Sequence, residues 1–150
     1  MQPNSSESAG DRYLAVLENL TANTLDRLDL VTASDVHFRD PFNDVRGRAA
    51  VRRVFERMFD DVADLRFRVV HAACSSDQGL ALWHFSGRLR HVRNAPIEID
   101  GVAHLCFNSD GAVTSHTDYW DPSGPVYAKV PILGSLVRLA KRRLAVTAER

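Results

Sequence analysis

The chain has 150 residues, 45% of them hydrophobic and 25% charged, with nineteen basic and nineteen acidic side chains and a formal net charge of zero. A chain of that length buries roughly two-thirds of the surface its unfolded form exposes, which fits one domain. The balanced charge excludes an overall field that would draw nucleic acid or an anionic membrane. Seventeen of the nineteen basic residues are Arg, scattered along the chain.

Residues 1–10 are polar and Ser-rich, with neither the charged start nor the apolar stretch of a secretion signal, and read as a disordered tail. Tyr13, Val16, Leu17 and Leu20 then recur at helical spacing, so residues 11–23 are expected to form a helix. Ser8 lies three residues before Asp11, a loose capping box. A shorter helix follows from Thr24, with Leu25, Leu28 and Val31 on one side. Val36 to Arg39 alternates as a strand and stops at Asp40-Pro41, because proline cannot continue a ladder. Gly47 opens a third helix, with Val51, Val54, Phe55 and Met58 inward and Arg48, Arg52, Arg53 and Glu56 solvated.

From Asp64 to Asp121 the pattern is that of antiparallel strands. Leu65, Phe67 and Val69 alternate with Arg66 and Arg68, one face dry and one wet. Breaks fall at Ser75–Gly79, at Asn94-Ala95-Pro96 and at Asn108–Gly111, the last a hairpin turn whose glycine takes positive φ. The final strand runs from Ala112 to Trp120. A closing helix over about Ile132–Thr147 places Leu133, Leu136, Val137, Ala140 and Leu144 on one side and ends in Lys141-Arg142-Arg143. That helix reads as packing across a cavity mouth or on a dimer neighbour, or as touching an acidic surface or membrane. No run approaches the ~18 apolar residues a spanning helix needs, so the expected location is cytoplasmic. Cys74 and Cys106 sit in apolar strand-like runs and are expected as buried, reduced thiols.

Three helices followed by a meander make an α+β pattern. Two stretches carry a resemblance: Phe38-Arg39-Asp40-Pro41-Phe42 with Gly47-Arg48-Ala49-Ala50-Val51-Arg52, and His104-Leu105-Cys106-Phe107-Asn108 with the turn at Gly111 and the strand Val113 to Asp121. Together they resemble the nuclear transport factor 2-like superfamily, which includes ketosteroid isomerases, SnoaL-like polyketide cyclases and limonene-epoxide hydrolases. The resemblance covers roughly residues 11–121 and leaves 122–150 as a C-terminal extension. It implies a cone-shaped α+β barrel, a curved antiparallel or mixed sheet wrapped around the N-terminal helices, and a homodimer. It also implies that Asp40 occupies the general-base position of the isomerases and that Tyr13 is the nearest candidate for their oxyanion donor. Ala103 stands where those isomerases keep a protonated acid, which argues against steroid isomerisation itself.

His116, Asp118 and Trp120 are spaced i, i+2, i+4 and share one face of the last strand. Asp118 is disfavoured in a strand interior and costly to bury unpaired, so it pairs with His116 or an Arg across the sheet, performs acid–base work, or slips to the outer face. His116 either orients that acid or is an ordinary sheet histidine. Asp40 before proline is either a turn residue or a pocket acid, and Asp121 caps the turn at Pro122. Phe38, Phe55, Trp83, Phe85, Ala103 and Trp120 are candidate walls for an apolar ligand, or plain core. His116-Thr-Asp118 with His84 or His104 could imitate a metal set, but no ligand spacing supports one, and no phosphate loop, nucleophile elbow or CxxC is present.

The sequence therefore points to a cofactor-free acid–base enzyme of isomerase, cyclase or hydrolase type, with Asp40, Asp118 and His116 catalytic. Its substrate would be a small apolar carbonyl or cyclic molecule, with no metal and no nucleic acid. The alternatives are a non-catalytic binding module and a dimerisation domain with a vestigial pocket.

Overall fold

The computed structural model describes residues 7–145, which form two compact units, one ending at Trp120 and one beginning at Asp121. The first unit opens with helix α1, Ala9–Glu18. Ser8 and Asp11 cap it reciprocally: the Asp11 backbone N–H donates to Ser8 Oγ at 3.0 Å, and the Ser8 N–H donates to Asp11 Oδ2 at 3.1 Å. The helix thus begins inside the stretch that composition marks as tail; the part of that tail before Glu7 lies outside the described residues. It also ends earlier than periodicity suggests, at the Asn19 cap, whose side-chain amide donates to the Ala15 carbonyl. The buried stripe is Gly10, Tyr13, Leu14 and Leu17, with Leu14 taking the place expected for Val16.

The Ser8 bonds hold the Asp11 carboxyl below its usual value of 3.8. A lowered folded-state value means stabilisation that is present above 3.8 and lost as pH falls through the folded value. Amides of the first turn are expected to lose hydrogen-exchange protection below that pH. Ser8→Ala is expected to cost about 1 kcal/mol in chemical denaturation.

A 3-10 turn, Leu25–Leu30, replaces the expected second helix. Strand β1 then runs Thr32–Arg39, four residues longer than alternation shows, because the buried Thr32 hydroxyl is satisfied by the Leu28 carbonyl at 2.7 Å. A short strand β2, Asp44–Arg46, hairpins back on β1, and Gly47 at φ +85° leads into helix α2, Arg48–Asp61. Arg48 anchors this helix to the Thr32 carbonyl, and Arg52 pairs with Asp29.

The meander is β3 Val62–Cys74, β4 Gln78–Leu89, β5 Ala95–Phe107 and β6 Val113–Tyr119. The sheet order is β2-β1-β6-β5-β4-β3, antiparallel throughout except for the parallel β1–β6 pair. The result is an open, curved six-stranded sheet. Register shifts in the pairs β3–β4, β5–β6 and β1–β6 bend it locally, as bulges do. The turn before β5 uses Arg93 and Asn94, both at positive φ, so Pro96 falls inside the strand. Gly111, at φ +76°, closes the β5–β6 hairpin as its sequence predicts.

Helices α1 and α2 lay Tyr13, Leu14, Leu17, Val51 and Phe55 into a core shared with Val36, Phe38, Phe85, Ile97, Leu105 and Val113 of the sheet. Each such large side chain stabilises by about 1.5–3 kcal/mol when fully withdrawn from water. Cys74 and Cys106 are free thiols, half-buried rather than fully so. Burial, and after it the negative charge of Asp11, pushes the Cys74 thiol up.

The second unit starts at an Asx turn, in which Asp121 accepts from the Ser123 backbone N–H at 2.8 Å and hydroxyl at 2.7 Å. It continues through a 3-10 turn, Tyr127–Lys129, to helix α3, Leu133–Leu144. Sequence periodicity carries this helix to Thr147, and the last two of those residues lie outside the described residues.

Candidate active site

Strand alternation on β6 turns His116 and Asp118 to the same face; Val113, also buried, precedes the register shift in the β5–β6 pair. His116 faces Leu105 on β5 and Phe38 on β1; Asp118 faces Ala103. The imidazole is thus walled on both sides, its centroid 5.0 Å from that of the Phe38 ring, with Tyr13 edge-on at 5.7 Å.

A continuous polar chain crosses this buried space. Tyr13 Oη lies 2.7 Å from His116 Nδ1. His116 Nε2 lies 2.9 Å from Asp118 Oδ1, and the same oxygen accepts the Trp83 indole N–H at 3.0 Å. The Nε2 contact has ion-pair distance but lacks the alignment of a hydrogen bond, leaving that nitrogen without a directed partner. It is a close polar contact without hydrogen-bond geometry.

Burial, and after it the negative charge of Asp118, pushes the Tyr13 phenol far above its ordinary range. Its proton therefore stays on oxygen and is available to Nδ1. A neutral ring so engaged carries its own proton on Nε2, the nitrogen nearest the carboxylate. Tyr13, which the resemblance marks as a donor to substrate charge, is only 1% exposed and spends its hydroxyl on His116. Tyr13→Phe is expected to leave a buried nitrogen unpaired and to destabilise by about 1–3 kcal/mol in urea unfolding. An unchanged midpoint would mean that the phenol does not bond the ring.

Only the outer end of this chain meets solvent. The Asp118 side chain is 16% exposed, against 4% for His116. It lines a surface cavity of about 320 Å³ with Arg39, Asp40, Pro41, Thr117, Tyr119 and Trp120. Trp120 is braced there by Phe42, their rings edge to face at 5.4 Å. Asp118 Oδ2 takes no hydrogen bond from a described residue.

Asp40 lines the same cavity, but its oxygens are occupied. Oδ1 accepts from the Phe42 N–H at 2.8 Å, the Asn43 N–H at 2.7 Å and the Asn43 side-chain amide at 3.0 Å; Oδ2 receives that amide at 3.1 Å. This is the turn-forming role open to any Asp before proline. The structure therefore brings Asp118, His116, Tyr13, Trp83 and Ala103 together, and sets Asp40 and Trp120 beside Asp118 on the cavity. Phe38, Phe55 and Phe85 are buried in the core and do not line this cavity; Phe38 and Phe55 pack edge to face at 5.7 Å. Alternating aromatics in a half-buried strand fill a core whether or not a ligand is near, so their spacing carried no site information.

Three features were not singled out from the sequence. Arg39 adds the cavity's cation, and Asn43 clamps Asp40. Gly101, on β5 opposite Trp83, lets the indole lie across the strand: a Cβ there would sit 2.6 Å from Cη2, 2.8 Å from Cε2 and closer still to Cζ2. A glycine inside a strand pattern is the available signal for such a close approach. His84 pairs instead with Asp100 at 2.8 Å. Among the described residues no three or more His, Cys, Asp or Glu cluster as a metal site would need.

Residues 11–116 match the family model of the SnoaL-like domain. Among solved structures, the fold is similar to an NTF2-like protein from Exiguobacterium sp. 255-15, with a TM-score of 0.65 at 17% identity over 76% of this chain and 98% of that one. A SnoaL-like polyketide cyclase from Agrobacterium tumefaciens gives 0.66 at 19% identity, over 81% and 93%. An LEH-like epoxide hydrolase from M. tuberculosis gives 0.61 at 18%, over 89% and 93%. At such identities the likeness is one of fold. No curated protein matches the chain.

Proposed function

The chain belongs to the SnoaL-like domain family, and on that premise we propose that it moves a proton on a small carbonyl-bearing or cyclic molecule without a cofactor, with Asp118 as the base. One observation carries this reading. Asp118 is the only member of the buried Tyr13–His116–Asp118–Trp83 chain that also lines the cavity, with one oxygen engaged and the other without a described partner.

In this reading Asp118 takes a proton from the carbon beside a carbonyl and returns it at another position. Trp83 and His116 hold the carboxylate in place, and Arg39 at the rim offsets charge that develops on oxygen. Pro41 and Trp120 supply apolar wall, and Asp40 shapes the loop rather than moving protons. Cyclase and epoxide hydrolase, the activities in the names of two of its structural neighbours, are both open to one well-held carboxylate.

The test is deuterium incorporation beside the carbonyl of simple cyclic ketones and 1,3-diketones in heavy water, followed by NMR. Exchange above the buffer rate, saturating with ketone, supports the proposal. Saturable binding with exchange at the buffer rate would replace it with the binding-module reading, which the fully engaged Asp40 carboxylate favours.

A further inference from the structure

Overall neutrality hides an uneven distribution of charge. Residues 1–120 hold thirteen basic and seventeen acidic side chains; residues 121–150 hold six basic and two acidic, and none of 122–148 is Asp or Glu. Within that acid-free stretch, α3 carries Arg138, Lys141, Arg142 and Arg143. At 100° per residue, Lys141, Arg138 and Arg142 share one side. Leu133, Leu136, Val137, Ala140 and Leu144 share the other, with Leu139 at its edge. Among the described residues Leu136 is 59% exposed, Leu144 84% and the preceding Ile132 82%, while Gly134 is the helix's one buried residue.

We propose that α3 lies flat on an anionic lipid surface, its leucines among the acyl chains and its cations at the headgroups. Three observations favour lipid over an acidic protein. The apolar residues are aliphatic and project from successive turns, which suits a fluid hydrocarbon rather than a shaped pocket. The cations stand beside the apolar arc, with Arg143 inside it, where long stems can snorkel to the headgroups. No carboxylate interrupts the stretch to select a partner's register; Lys141 has one exposed acidic neighbour, Asp121 at 3.5 Å, and such a pair contributes little. Twelve residues rise about 18 Å, too short to span a bilayer core, and no helix among the described residues is long and apolar enough to cross a membrane. The helix therefore rests on the surface.

The test is co-sedimentation of the full chain with vesicles of phosphatidylcholine alone or mixed with phosphatidylglycerol, at low and high salt. Binding is expected on the mixed vesicles, falling with salt and near background on phosphatidylcholine. Lys141→Gln with Arg142→Gln and Arg143→Gln should weaken it on the order of 100-fold. Leu136→Ser with Leu144→Ser should abolish it at unchanged charge; both sets lie on exposed positions, and circular dichroism checks the fold. Equal binding to both vesicle types, or none, overturns the proposal. So does binding to polyglutamate that the leucine variant retains, which assigns the helix to an acidic protein. A concentration-dependent dimer lost in the leucine variant, without vesicle binding, assigns it to a second copy.

Discussion

Asp118→Asn is expected to lower ketone exchange by roughly 10²- to 10⁴-fold, the usual contribution of a positioned base, while leaving the fold intact. Asparagine keeps the Oδ1 acceptor for the Trp83 indole, so the strand and the ring stay where they are. The melting temperature should move by less than about 4 °C, corresponding to roughly 1 kcal/mol for a chain near this size. The pairing of the two readouts matters. If Asp118 only supports His116 and Trp83 in the core, the substitution would shift melting and leave any exchange untouched. Asp40→Asn is the control: it keeps the Oδ1 acceptor for the turn, and exchange should change little.

Gly101→Ala is expected to be the most disruptive one-methyl change near the site. The new Cβ meets the face of the indole along Cζ2, Cη2 and Cε2. The backbone of a central strand cannot retreat, since β5 is bonded on both sides. Overpacking of this kind costs about 1–3 kcal/mol, or roughly 2–4 °C of melting temperature per kcal/mol. The indole must also swing away from Asp118, which loses a hydrogen bond and its hold on position. In a Trp120→Phe background, Trp83 emission should shift to the red and exchange should fall together with stability. Wild-type melting and emission in Gly101→Ala would show that the ring does not cross β5, and the chain of contacts behind Asp118 would dissolve.

Local chemistry made much of this legible. The Ser8–Asp11 pair reads as a cap because its partners are three residues apart. The Asn108–Gly111 hairpin reads as a turn because glycine alone takes that φ without strain. His116 and Asp118 read as one face because a strand alternates strictly by two. Thr32 to Asp35 did not read as strand, because a polar stretch looks like loop until the Leu28 carbonyl is there to satisfy Thr32. The helical side chosen for α1 included Val16, because periodicity alone does not separate adjacent residues; packing took Leu14 instead.

Ranking the two aspartates required tertiary structure. From sequence, Asp40 and Asp118 are both acids next to features that suggest a pocket. In the fold, Asp40 is consumed by three N–H groups of its own loop, whereas Asp118 meets Trp83, thirty-five residues away, and a ring held by Tyr13, 103 residues away. The summed charge of the chain likewise hides the basic stretch at residues 122–148, because a sum discards position.

The sequence by itself determined the α+β class, the Asn108–Gly111 turn and the shared face of His116 and Asp118, since each rests on patterns within a few residues. Which acid is free to act, which aromatic side chains are core, and where a glycine must stay bare were decided only by strands meeting across the sheet. Those contacts have no fixed separation along the chain, so no local pattern encodes them.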